Sequence, residues 1–294
     1  MRMRCFMLII ALAGLLPAQA VEEVYVPSFD GVFLPAAIRK PAGNGPFPAV
    51  ILLHGGVGGS GIEGAKKFVA GPVPDRLLEL GYVLMAADYR RYHFGEDELQ
   101  DVIGAYRKLG SYSYVDKDRI ALIGASHGGY LAEFAATRIK PAAIVSYGGG
   151  TDIEATMFDL AQKVRSRYQG YEDWRNKLLN AETVEAEIPL ELSWRFGDRR
   201  ELYRDISPKH NAARITTPVL IVMAGKDREV SRTGGKQLVD DLKQRGVPAE
   251  YFEFAGMPHV FSWGRGEIAK TQEFRDSLKL TVDFLEKHVK GKGK

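Results

Sequence analysis

Short apolar runs recur along the chain at regular intervals, separated by stretches in which apolar residues return every three or four positions. Ala49–Leu53, Tyr82–Ala87, Ile120–Ile123, Ala142–Ser146, Val219–Met223 and Ala249–Phe254 are mostly continuous rather than alternating. Runs of that kind suit strands covered on both faces. The helical pattern between them marks Asp75–Leu80, Glu96–Leu109, Gly129–Arg138, Thr233–Arg245 and Thr271–Val289. Glu23–Pro27 and Val32–Arg39, joined around Asp30-Gly31, predict a hairpin ahead of them. Strand–helix alternation predicts a mostly parallel sheet with helices on both faces. One stretch breaks the rhythm. Residues 151–205 carry no strand signal, many charges, Trp174 and Trp194, and predict a helical insertion.

The first twenty residues follow a different pattern. Arg2 and Arg4 precede an unbroken apolar run, Phe6 to Leu16, and then Pro17-Ala18-Gln19-Ala20. A basic start, an apolar stretch and an Ala-x-Ala end predict a signal peptide cleaved after Ala20, hence an exported, periplasmic or secreted protein. The run is too short for the roughly 30 Å of hydrocarbon that a membrane anchor must cross. Residues 21–294 then form one domain, interrupted by the insertion. Cys5, the only cysteine, leaves with the leader, which excludes a disulfide framework and any Cys-rich metal site. With 40 Lys+Arg against 37 Asp+Glu the chain is too balanced for a nucleic-acid binder that works by neutralising phosphates. No later run is apolar enough to span a membrane, and the basic, Gly-spaced tail Lys287–Lys294 reads as a solvated end.

Gly124-Ala125-Ser126-His127-Gly128 fits G-x-S-x-G. The pattern places a serine on a sharp turn from strand to helix, and small residues two before and two after are needed because that turn crowds the backbone. The pattern is short enough to arise by chance, so its context decides. Arg119–Ile123 leads in as a strand and Gly129-Tyr130-Leu131 leads out as a helix, which puts Ser126 at the C-terminal edge of the sheet. Ser60 lacks both the flanking pattern and a following helix.

A serine nucleophile needs a base, and the base needs an orienting carboxylate. In α/β proteins built this way they follow in the order Ser, Asp/Glu, His. Of the later histidines, His259 lies in the loop after Ala249–Phe254, at the sheet edge that holds Ser126. His210 and His288 fall at the wrong places. The carboxylate should follow the preceding strand, where Val219–Met223 runs into Asp227; Asp198 in the insertion and Asp152 after an earlier strand are rivals. The developing oxyanion needs backbone donors. The His127 N–H is one, and the loop His54-Gly55-Gly56-Val57-Gly58-Gly59 supplies the other, with Gly56 the choice and Gly55 or Val57 one residue away. The His54 side chain is a further candidate donor, unless the loop backbone occupies it.

The same loop supports a rival. Gly56-x-Gly58-x-x-Gly61 is a formal G-x-G-x-x-G after a strand, with Asp88 ending the next strand as a ribose-binding acid would. Against a dinucleotide site, Asp88 lies beyond the usual spacing, Gly64, Gly71 and Pro72 interrupt any helix beginning at Gly61, and Ser126, Asp227 and His259 go unexplained. There is no H-E-x-x-H and no G-x-x-x-x-G-K-[ST].

Asp118 to Tyr130 resembles the nucleophile region of the prolyl oligopeptidase family's catalytic domain, which shares the α/β-hydrolase fold with dienelactone hydrolase-like esterases. Asp88-Tyr89-Arg90, Ser207-Pro208 through Ile215-Thr216-Thr217-Pro218, and Gly246-Val247-Pro248 extend the likeness over roughly residues 45–290, apart from the insertion. The resemblance implies Ser126, Asp227 and His259 as a triad, no cofactor, and a small ester or short peptide as substrate. Two departures concern substrate: many members have Tyr where His127 and His54 stand, and the chain has no room for the β-propeller of prolyl oligopeptidases. The expected activity is a serine hydrolase, either a carboxylesterase or a serine-type peptidase. The alternative is a binding protein on the same scaffold without catalysis. Phe158, Tyr168, Tyr171, Trp174, Trp194 and Phe196 are candidates to cap the pocket or to pack the insertion, and Trp263 lies close to His259 in sequence.

Overall fold

The computed structural model describes residues 20–291, apart from 57, 168–170 and 181–183. The leader with Cys5, Val57, Tyr168 and the last three tail residues therefore lie outside the described residues, as does the side chain of Tyr171.

Eight strands form one sheet: β1 (Glu22–Pro27), β2 (Phe33–Arg39), β3 (Phe47–Leu53), β4 (Val83–Ala87), β5 (Val115–Ala125), β6 (Ile144–Tyr147), β7 (Val219–Ala224) and β8 (Ala249–Phe254). Their spatial order is β1-β2-β4-β3-β5-β6-β7-β8. β2 runs antiparallel to both neighbours, and every pairing from β4 to β8 is parallel. The α-helices are α1 (Gly61–Phe68), α2 (Pro72–Glu79), α3 (Glu96–Gly110), α4 (His127–Ala135), α5 (Ile153–Arg165), α6 (Tyr171–Leu179), α7 (Val184–Arg195), α8 (Arg200–Asp205), α9 (Arg232–Gln244) and α10 (Gln272–Leu285).

The continuous apolar runs follow from this layering. Side chains alternate across a strand, so Ala49, Ile51 and Leu53 of β3 enter one core layer while Val50 and Leu52 enter the other. Val219, Ile221 and Met223 of β7 part from Leu220, Val222 and Ala224 in the same way. Each fully buried aliphatic side chain contributes roughly 1.5–3 kcal/mol, so polar residues on either face would lose that burial. The edge strand β1 alternates instead, burying Val24 and Val26 and exposing Tyr25.

The chain leaves β3 toward β4 on one side and returns to β5 on the other. That reversal opens a crevice at the carboxyl ends of β3 and β5, where ligands of open α/β sheets bind. Helix α1 corrects the sequence reading, since eight helical residues do begin at Gly61. The helix stops at Phe68, before Gly71 and Pro72. Those two then start α2, with Gly71 as its N-cap and Pro72 in the first turn, where its missing N–H has no partner to lose. Residues 151–205 hold α5 to α8.

Candidate active site

Ser126 joins β5 to α4 with φ 54° and ψ −118°, a conformation that side chains disfavour and that persists only where its surroundings impose it. Those surroundings are backbone. A Cβ on Gly124 would stand 1.9 Å from the Gly128 carbonyl oxygen, and one on Gly128 would stand 2.1 Å from that of Leu53. No rotamer change relieves either collision, which is the physical content of the two flanking glycines. The Ser126 N–H donates to the Tyr147 carbonyl at 2.7 Å, and the Ser126 carbonyl accepts from the Tyr130 N–H at 3.0 Å. The turn is thereby tied to the next strand and to its own helix.

Three predicted residues converge here. His259 Nε2 lies 2.9 Å from Ser126 Oγ, and His259 Nδ1 lies 2.6 Å from Asp227 Oδ2. A carboxylate only accepts, so Asp227 fixes the tautomer: Nδ1–H donates to Asp227, and Nε2 accepts from the Ser126 hydroxyl. Burial pushes the Asp227 carboxyl up, but the bonds from His259 and from the Val230 and Glu229 N–H groups outweigh it and hold the group below the ordinary carboxylate range. The β-branched Val260 next to His259 also sits at positive φ, 54°.

His127 is the first residue of α4, so the helix supplies no carbonyl one turn earlier for its N–H. Gly55 and Gly56 line the cavity beside Ser126. A Cβ on Gly55 would stand 3.2 Å from Ser126 Cβ, and Gly56 has φ +77°.

The remaining sequence candidates are engaged elsewhere. His54 stacks on Tyr89 and bonds through Nε2 to Asp88 Oδ1 at 3.0 Å and through Nδ1 to the Gly55 carbonyl at 2.9 Å, so its ring is occupied by its own loop. Asp88 is buried and also accepts from the Gly59, Gly61 and Tyr89 N–H groups. Buried and bonded by both oxygens, this acid serves the loop. Asp198 is exposed and 3.7 Å from Arg165, while Asp152 caps α5 and pairs with Lys209. His210 pairs with Glu154, the His288 ring packs on Phe284, and Ser60 Oγ points back at His54.

Two cavities open on Ser126. The larger, about 410 Å³, is lined by His54, Phe68, His259, Trp263, Arg265 and Glu229 among others, with Trp263 stacked on Phe68 at 4.2 Å. The smaller, about 80 Å³, is apolar and lies between Phe94, His127, Tyr130, Ile153, Met157 and Ile188. The insertion thus meets the site with aliphatic side chains from α5 and α7. The aromatic residues described there pack on one another instead: Phe158 and Phe196 meet Tyr203 edge-on, and buried Trp174 stacks on Trp194, which is half-exposed. Sequence reading missed Glu229, whose Oε2 lies 3.3 Å from His259 Nε2. Its only signal was position, two residues past Asp227.

A family model for the α/β-hydrolase fold matches residues 51–262. The chain belongs to that family. Among its relatives is an uncharacterized peptidase of Bacillus subtilis, 26% identical over 79% of this chain and 83% of that protein. Mouse acylamino-acid-releasing enzyme is 25% identical over 82% of this chain, which spans only 31% of the mouse enzyme. Of solved structures, Pyrococcus horikoshii acylaminoacyl peptidase superposes with a TM-score of 0.69 at 20% identity, covering 93% of this chain and 42% of that one. Carboxyl esterase 2 of Tuber melanosporum gives 0.67 at 19%, covering 92% and 88%. These likenesses show the fold, and this hydrolase stands among peptidases and esterases. No described helix is long and apolar enough to cross a membrane.

Proposed function

We propose that the chain is a serine hydrolase that cleaves an ester or amide bond through an acyl-enzyme, with Ser126 as nucleophile, His259 as general base and acid, and Asp227 as its orienting carboxylate. The observation that carries this reading is the unbroken sequence of contacts from Asp227 through His259 to a serine held at positive φ. His259 takes the Ser126 proton as Oγ attacks the carbonyl. Asp227 stabilises the imidazolium, and the imidazolium then protonates the leaving group. Water repeats the sequence on the acyl-enzyme. The N–H groups of His127 and Gly56 receive the developing oxyanion. The cavities beside Ser126 suit a small ester or a short amide as substrate.

A fluorophosphonate probe should label Ser126, and Ser126→Ala should lower turnover of short acyl aryl esters on the order of a millionfold, the scale of removing a triad serine. A folded chain that never labels, or a Ser126→Ala variant that keeps its activity, overturns the proposal. A folded but unlabelled chain points to a binding protein on the same scaffold. We also propose export with cleavage after Ala20, from the residue pattern 1–20. An N-terminus other than Val21 on protein recovered from the native cell envelope or medium contradicts it.

A further inference from the structure

Glu229 borders both cavities at Ser126. Its side chain is half-exposed and its Oε2 stands 3.3 Å from His259 Nε2, the nitrogen that faces Ser126 Oγ. With Nδ1–H donated to Asp227, Nε2 carries a lone pair and gives Glu229 no hydrogen. Among the described residues no side chain donates a hydrogen bond to this carboxylate. Half-exposed, this carboxylate is hydrated by solvent and can exchange that water for a cation entering the pocket mouth. Arg265, the cation on the larger cavity, does not border the apolar one. A group entering the apolar cavity from Ser126 therefore passes the negative charge alone.

We propose that Glu229 selects the acyl group, receiving the free ammonium of an aminoacyl ester or amide whose apolar side chain enters the cavity between Tyr130, Ile153, Met157 and Ile188. The reading rests on Ser126 being the nucleophile. It makes the preferred substrates amino acids or short peptides with an unblocked amino end. N-acylated substrates place a neutral, bulkier group against the carboxylate and are the poorer class. An ammonium seated on Glu229 also draws the carboxylate from His259, leaving Nε2 to Ser126.

The test compares kcat/KM for an apolar aminoacyl aryl ester with that for its N-acetylated twin, in the wild type and in Glu229→Gln. The wild type should favour the free amine. Glu229→Gln should reduce the amine-to-acetyl ratio by up to about fivefold, the upper range for a half-exposed ion pair, and added salt should reduce it in the wild type alone. Labelling rates of an ammonium-bearing and a neutral fluorophosphonate give the same ratio if neither ester is hydrolysed. A ratio that does not move overturns the proposal, even where both rates fall together, because equal losses mark Glu229 as a positioning residue for His259. If Ser126 does not label and neither ester turns over, the serine hydrolase reading fails first. Labelling with an unchanged ratio overturns the role of Glu229 alone.

Discussion

Two regions meet at Ser126 and are held by different physics. The turn from β5 into α4 is fixed by backbone against backbone: Gly124 packs on Gly128, Gly128 packs on Leu53, and every residue of α4 is buried. Residues 151–205 join the body partly through buried apolar side chains, Ile153, Ile188, Leu192 and Tyr203 among them, and partly through charged side chains that reach across to it. Arg91 grips Glu187 with two bonds of 3.0 and 2.7 Å, Glu191 accepts from the Phe94 N–H, and Arg195 donates to the Phe94 carbonyl. Backbone packing of the first kind has one solution, whereas ion pairs between long side chains tolerate several. The Ser126–His259–Asp227 geometry and the shape of the apolar cavity are therefore specified separately.

The sharpest way to break that contrast is a methyl group. Gly128→Ala places a Cβ within 2.6 Å of the Leu53 and His54 carbonyl oxygens, and no side chain can move to clear it. We expect a loss of at least about 3 kcal/mol, the upper range for overpacking, read as a lowered urea midpoint or failure to fold. Gly150→Ala, beside the apolar cavity, meets only Ile153 Cδ1 at 3.4 Å, ordinary contact. It should cost less than about 1 kcal/mol on the same scale. Equal costs would erase the distinction.

Each region also holds a buried carboxyl whose surroundings raise it, and pH sharpens the comparison. Burial pushes Glu133 of α4 up to about 7, against hydroxyl bonds from Ser146, at 2.6 Å, and from Thr151. Glu191 of α7 reaches about 7 as well, through burial and the neighbouring Glu98, although Arg195 and the Phe94 N–H oppose the shift. Both raised groups hold a proton in the folded state that the unfolded chain releases near 4.5. Between those values the unfolded state binds fewer protons, so the contribution of these two groups is greatest below 4.5 and falls as pH rises to about 7. For Glu133 alone the fall amounts to about 3 kcal/mol at 1.4 kcal/mol per unit. Glu133→Gln should flatten that part of the urea-midpoint profile, and an unaltered slope would refute the assignment.

What could be read from sequence divides along the same line. Strands were legible because burial on both faces leaves unbroken apolar runs, and β7 and β8 match Val219–Met223 and Ala249–Phe254 to within a residue. Ser126, Asp227 and His259 were legible as candidates because each follows a strand at one sheet edge. β5 begins at Val115, earlier than the apolar run, because Asp116, Lys117, Asp118 and Arg119 are not buried and give no apolar signal. Helix α1 was missed because Gly64 reads as a breaker. In place, a Cβ there would meet the Ser60 side chain at 2.5 Å, so the small residue is what lets the helix close over its own start. Pairs such as Arg91–Glu187 and His127–Glu98 join residues far apart in the chain. No local pattern announces them.

A smaller effect tests whether the charged anchors hold the insertion as a unit of its own. Arg91 is 43% exposed while Glu187 is 2% exposed, so Arg91→Ala leaves a buried carboxylate without its partner. Water already screens the arginine, which brings the expected cost down to about 1 kcal/mol from the several typical of a fully buried pair. If the insertion opens separately, that cost appears as local opening. Limited proteolysis within 151–205 should quicken about fivefold, since cleavage tracks the open population, while the urea midpoint of the sheet stays in place. A drop in the global midpoint with no change in cleavage would mean that the insertion and the sheet unfold together. The apolar cavity would then be as firmly specified as the turn that carries Ser126.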